Sequence, residues 1–190
     1  MQYGVKVLEA RSSLDTTEDP FPWVFLAGLC DWDIAGGPWR EQVAARMRDR
    51  NVTVTLIDPT RRDWAEAVEP PAGVPDKPPP QYDPFEAQVN WEMLALELSH
   101  MRLIYFGDTS SQATTMFELA VSLMMGPTNT YVVAHCKHGL FHYIRSMAER
   151  FRYRFFTDLF EASDALGRRI EEACSVRTAW PNPASVDTIP

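Results

Sequence analysis

The 190-residue chain is 45% hydrophobic and 23% charged, ordinary values for a soluble globular protein, and it is long enough for one α/β domain with a substantial core. A net charge of −8 without any long basic run argues against coating a polymeric nucleic acid, and no apolar stretch approaches membrane-spanning length. Three widely spaced cysteines, Cys30, Cys136 and Cys174, suit a reducing compartment, and the N-terminus lacks the basic flank and apolar run of a secretory signal, so the expected location is the cytoplasm.

Residues 4–9 (GVKVLE) alternate weakly, as a short edge strand does, and an acidic, Ser/Thr-rich connection follows. The run WVFLAG at 23–28 is apolar throughout, the pattern of a strand covered on both faces. A polar loop with Asp31, Asp33 and Gly36-Gly37 leads to Pro38 at a first helical position, and Trp39, Val43 and Met47 recur at spacing four along the helix to about Asp49. VTVTLID at 52–58 is the next strand. Seven of the fifteen prolines lie between Pro70 and Pro84, so residues 59–83 are read as an irregular connection at an active-site rim. Asp83-Pro84-Phe85-Glu86 opens a helix, with an Asp cap and Pro at the first position. MRLIYFG at 101–107 is a strand, 114–126 a helix apolar nearly all round and therefore expected to be buried, and TYVVAH at 130–135 a strand. Leu140, Ile144, Met147 and Phe151 form a helical stripe, Phe155-Phe156 a short fifth strand, and Asp158 with Glu161 caps a last helix to about Cys174.

Strands alternating with helices imply a parallel sheet with right-handed crossovers. Five such strands predict a flavodoxin-like order, 2-1-3-4-5, in a domain over residues 23–175, flanked by an extension (1–22) and an irregular tail (176–190). Ligands of such sheets sit beyond the carboxyl ends of the strands, at the switch point. Here that point lies between strands 23–28 and 101–107, with the loops at 28–37 and 107–114 facing each other.

Two glutamates stand out. On the helix from Pro84, Phe85, Val89, Met93 and Leu96 define a buried face, and Glu92 falls in its middle with Gln88 and Ser99 on one flank. A carboxylate there is costly unless paired or hydrogen-bonded, so it is either a structural ion pair or a functional group. Glu118 has two explanations. Thr115 and Glu118 have capping-box spacing, yet Glu118 also opens a helix at the carboxyl edge of the sheet, close to Asp108. His138 and His142 are four apart, but no second pair completes a metal site. Cys30 lacks any triad pattern around it. Gly36-Gly37-Pro38 is a weak anion-binding feature, and Arg61 and Arg62 bind phosphate or solvate a loop. Arg145, Arg150, Arg152 and Arg154 form a solvated face.

Five segments in one order, VFLAG at 24–28, DPTRRDW at 58–64, FEAQVNWE at 85–92, LIYF at 103–106 and TTMFELA at 114–120, resemble the nucleoside 2-deoxyribosyltransferase-like family. The resemblance implies a flavodoxin-like fold and cleavage of the N-glycosidic bond of a nucleoside or nucleotide. It puts the family's catalytic glutamate on Glu118 and its second acidic group on Glu92, with Asp108 as a further catalytic candidate. The implied substrate contacts are Gly28, Asp31, Trp32, Arg61, Gln88 and Thr114. Ala120 stands where the family has glycine, Asp58-Pro59-Thr60 has an extra residue, and His100 replaces an aspartate. The implied reaction is deoxyribosyl transfer between bases. The alternatives are hydrolysis of a nucleoside 5′-monophosphate and a non-catalytic nucleotide-binding domain. The expected partners are a small-molecule nucleoside or nucleotide and further copies of the chain in a homo-oligomer, with no polymeric nucleic acid, membrane, metal or redox cofactor.

Overall fold

The computed structural model describes residues 4–10, 12–16, 21–28, 38–60, 84–108 and 113–175. The strands are β1 (Val5–Glu9), β2 (Trp23–Gly28), β3 (Val54–Asp58), β4 (Met101–Phe106), β5 (Thr130–Ala134) and β6 (Arg154–Phe156). The helices are α1 (Trp39–Asp49), α2 (Pro84–Leu98), α3 (Ala113–Met125), α4 (Phe141–Phe151) and α5 (Leu159–Ser175). All strand pairs are parallel, in one six-stranded sheet of order β1-β3-β2-β4-β5-β6.

The five-stranded expectation is therefore corrected to six. The weakly alternating start of the chain pairs with β3 from Val5↔Val54 to Glu9↔Asp58. Its signal is weak because an outer strand shows much of its surface to solvent: Leu8 is buried, whereas Val7 is exposed. From β3 to β6 the sheet keeps the order anticipated.

Strand side chains alternate between two cores. Val24 and Leu26 of β2 pack with Val43 and Met47 of α1 and with Leu166 and Ile170 of α5. Trp23, Phe25 and Ala27 face the other way, into a core with Ala95 and Leu96 of α2, Leu119 of α3 and Ile144 of α4. Each buried Leu, Ile or Phe contributes about 1.5–3 kcal/mol, so the double-sided burial of β2 makes it the spine of the domain. On the first face, Arg46 forks onto Asp164 through bonds of 2.7 and 2.9 Å and ties α1 to α5. Asp158 caps α5 as expected, its Oδ1 accepting the Glu161 N–H at 2.8 Å.

His100, at the amino-terminal edge of the sheet, is a latch. Its Nδ1 accepts the Trp23 N–H at 3.2 Å, while its own N–H donates to the Trp23 carbonyl at 3.0 Å. Burial, reinforced by Arg102, lowers its pKa to about 4, so the ring is neutral and able to accept. This locks β2 to β4 at the end of the sheet away from Gly28.

Two expectations about helix faces fail. α3 was expected to be buried all round, yet Phe117 is 57% and Met124 87% exposed, and its inward face is Thr115, Glu118, Leu119 and Ser122. On α2, Leu96 is buried as expected, but Val89 is 37% exposed and the inward residues beside Leu96 are Gln88 and Ala95. Both helices are apolar on several sides, so the pattern does not orient them. The roles expected of Cys30, Asp31, Trp32, Gly36, Gly37, Arg61, Arg62, the Asp83 cap, the proline-rich connection and the tail from 176 fall outside the described residues. Among the described residues no helix is long and apolar enough to cross a membrane.

Gly28 ends β2 at φ +134°, and a Cβ there would run into the carbonyl oxygen of its register partner Tyr105. Gly28→Ala is expected to cost more than about 2 kcal/mol, from backbone strain added to overpacking. Gly139→Ala, where the added methyl meets open space, is expected to change stability by less than about 0.5 kcal/mol. Thermal denaturation of the two variants checks the contrast.

Candidate active site

The positive φ of Gly28 turns its peptide groups so that they serve both faces of the sheet. Its N–H donates to the carboxyl group of Glu118 on α3. Its carbonyl accepts from Arg40 Nη2 on α1 at 3.0 Å.

Arg40 is buried in the first turn of α1. Its Nε lies 3.1 Å from the Leu26 carbonyl and 3.1 Å from Asp58 Oδ1, and its guanidinium sits 4.4 Å over the Trp39 ring. Trp39 in turn packs against Tyr105 at 5.1 Å. A buried guanidinium must fill its fork with acceptors, and here two backbone carbonyls and a carboxylate do so. Asp58 also accepts the Thr60 N–H at 2.9 Å and its hydroxyl at 2.5 Å, which fixes the turn after β3. One cation thus joins the carboxyl ends of β2 and β3.

The two glutamates lie on helices of the other face, within electrostatic reach of each other. Glu118 is 4% exposed. Its carboxyl is pushed up to about 8, first by burial and then by the nearby Glu92 charge, against the pull of Arg40 and the Gly28 N–H. Glu92 is only half-buried and is also raised by burial, opposed by a hydrogen bond from Gln88 and by Arg40. The shallower Glu92 ionises first, so its charge falls on Glu118. Around neutral pH Glu118 keeps its proton.

Gln88 fixes Glu92. Its Nε2 donates to Glu92 Oε1 at 2.7 Å and to the Pro59 carbonyl at 3.1 Å. α2 is thereby pinned to the end of β3.

α3 begins at Ala113, so Thr115 and Glu118 lie within the helix and are not at cap positions. The capping-box explanation of Glu118 is overturned, because the helix already includes Ala113 and Thr114 ahead of Thr115. Asp108 and Thr114 are exposed at the ends of β4 and α3, and the group that acts on Glu118 is Glu92. Asp31, Trp32 and Arg61 lie outside the described residues. His135 and His138 cap the turn after β5, accepting the N–H groups of Lys137 and Leu140 at 3.3 and 3.2 Å. Among the described residues no cluster of three or more His, Cys, Asp or Glu is placed to hold a metal ion.

Arg40 was missed in the sequence, although a signal existed. It shares a helix face with Val43, Ala44 and Met47 at spacings of three, four and seven. An arginine on an apolar face requires acceptors, and the strand ends supply them.

A model of the family described as nucleoside 2-deoxyribosyltransferase like matches residues 22–138. No curated protein matches the chain. The matched span runs from just before β2 to just past β5 and contains Gly28, Arg40, Asp58, Gln88, Glu92 and Glu118.

Because the folded Glu118 lies above its ordinary value of 4.5, the folded protein holds a proton that the unfolded chain releases. Its contribution to stability is complete below about pH 4.5 and is lost as pH rises towards 8. Glu118→Gln, which keeps an acceptor for the Gly28 N–H but cannot ionise, is expected to match the parent near pH 5. By pH 8.5 or so it should exceed it by on the order of a few kcal/mol. Denaturant titrations at both pH values check this. Equal destabilisation at both would mean that Glu118 is an ionised partner of Arg40.

Proposed function

The chain belongs to the nucleoside 2-deoxyribosyltransferase-like family, and we propose that it cleaves the N-glycosidic bond of a 2′-deoxynucleoside and transfers the deoxyribosyl group to a second nucleobase. The observation that carries this proposal is the Glu92–Glu118 pair, two carboxyl groups from different helices at the carboxyl edge of the sheet, one buried beside Gly28 and the other held by Gln88. The flavodoxin-like arrangement, with β1 added beside β3, puts that pair next to the switch point between β2 and β4.

Departure of the base leaves oxocarbenium character at C1′, which a carboxylate stabilises or traps. In the proposed reaction an oxygen of ionised Glu118 bonds to C1′ as the C1′–N bond breaks, and the bonding pair leaves with the base nitrogen. The proton of the carboxyl pair, delivered from Glu92, neutralises that nitrogen. A nitrogen of the incoming base then attacks C1′, the ester bond to Glu118 breaks, and the displaced proton returns to the pair. Two displacements at C1′ retain its configuration. Burial keeps the proton on the deeper Glu118, and the reactive arrangement places it on Glu92, a shift between neighbouring groups. The Gly28 N–H favours ionised Glu118 and assists that shift, while Arg40 steadies whichever of the two carboxylates is charged. Arg40, held by Asp58 and two carbonyls, positions the strand ends and tunes the pair.

The active form is therefore the pair with one proton. Activity is expected to rise with pH as the first proton leaves and to fall again around pH 8, where the second is lost. Glu118→Ala is expected to abolish turnover in a folded protein. Glu92→Gln is expected to slow an ordinary deoxynucleoside by about 10²–10⁴ and one with an activated leaving base much less. Equal losses on both substrates would exclude proton donation by Glu92. Product analysis with deoxyinosine, with and without adenine, separates the activities: deoxyadenosine formed only with adenine means transfer, and free hypoxanthine without acceptor means hydrolysis.

A homo-oligomer is proposed as the working form, because Phe117 and Met124 present apolar side chains to solvent on α3, the helix that carries Glu118. Sedimentation at assay concentrations is expected to give more than one copy. A fully active monomer would refute it.

A further inference from the structure

Gln88 does more than hold Glu92. The orientation of its amide is dictated by its neighbours: Pro59 offers a carbonyl oxygen, which only accepts, so Nε2 must face it at 3.1 Å. The same nitrogen gives its other hydrogen to Glu92 Oε1 at 2.7 Å. Both N–H groups are then occupied, and the amide cannot turn over without setting oxygen against oxygen at both contacts.

The remaining atom, Oε1, is buried and has no hydrogen-bond partner among the described residues, on a side chain whose residue is 5% exposed. An unmatched buried carbonyl oxygen is unfavourable, and such groups in folded proteins call for an explanation. This one stands one helical turn from half-buried Glu92, on the amide that holds one member of the carboxyl pair. An amide oxygen accepts and never donates, so its complement is an O–H or N–H.

We propose that Gln88 Oε1 is a specificity contact that accepts one hydrogen-bond donor of the bound nucleoside, a sugar hydroxyl or an N–H of the base. The proposal rests on the nucleoside-binding function proposed above. It makes Gln88 a selector as well as a positioning residue: a ligand lacking the donor leaves the oxygen buried and unmatched, which is how sites discriminate most strongly.

The test is equilibrium binding by calorimetry to the full chain carrying Glu118→Gln, which removes turnover. The ligands are 2′-deoxyadenosine and three analogues that each lack one donor: the 3′-hydroxyl, the 5′-hydroxyl or the 6-amino group. One analogue is expected to bind about tenfold to a hundredfold more weakly than the parent. Loss with either sugar analogue identifies a hydroxyl, and loss with the third identifies the base. In a protein that also carries Gln88→Met, that analogue and the parent should bind within about threefold of each other, because the acceptor is gone. A purely structural Gln88 would weaken all four ligands alike and leave their ratios unchanged, which overturns the proposal. So does a first protein that binds all four equally. If Gln88→Met does not fold, Gln88→Asn withdraws the oxygen by one methylene and gives the same comparison. Failure of every nucleoside to bind the first protein would remove the nucleoside function itself, an outcome distinct from unchanged ratios.

Discussion

The peptide groups of Gly28 join the two faces of the sheet. Its N–H reaches Glu118 on α3, and its carbonyl holds Arg40 on α1. Neither bond is available to an ordinary strand end, whose groups lie in the plane of the sheet. The +134° φ that makes them possible is open only to a residue without a side chain, and the space a side chain would need is filled by Tyr105. The carboxylate edge is therefore built from a single backbone distortion that β2, buried on both faces, is rigid enough to sustain.

The charges at that edge follow from depth. Arg40 is matched by Asp58 at 3.1 Å and by two carbonyls, so it lends Glu92 and Glu118 only part of its field. With both glutamates ionised, three carboxylates would surround one guanidinium. Retaining a proton removes most of that repulsion, and the deeper Glu118 retains it because burial penalises its charge most. The same arrangement that costs stability as pH rises keeps a transferable proton beside an eventual nucleophile. Functional sites commonly store such unfavourable terms, supported by the surrounding fold.

That support is concentrated on few contacts. Gln88 ties α2 to Pro59, Arg40 ties α1 to β2 and β3, and the His100–Trp23 exchange locks the opposite end of β2 to β4. Buried polar side chains with fully assigned roles give a site its geometry. Gln88 Oε1 is one departure from that rule, an acceptor left unmatched beside Glu92.

The sequence by itself determined the strands from β2 onward, their parallel order and the helices between them, because a continuous apolar run or a heptad-like spacing depends only on neighbours along the chain. It singled out Glu92 and Glu118 for the same reason, as carboxylates at apolar positions, and the family resemblance agrees with the matched family. Tertiary structure alone decided which side of α2 and α3 faces inward: both are apolar on several sides, so Val89 and Phe117 end up exposed and Gln88 and Ser122 buried. It moved the start of α3 ahead of Thr115 and so removed the capping box. It added β1, whose exposed edge position leaves little hydrophobic pattern. It also brought Arg40 to Asp58 and Gly28, and Glu92 within electrostatic reach of Glu118, pairings between residues far apart in the chain. Such pairings depend on how helices cross a twisted sheet, and no local spacing encodes that distance.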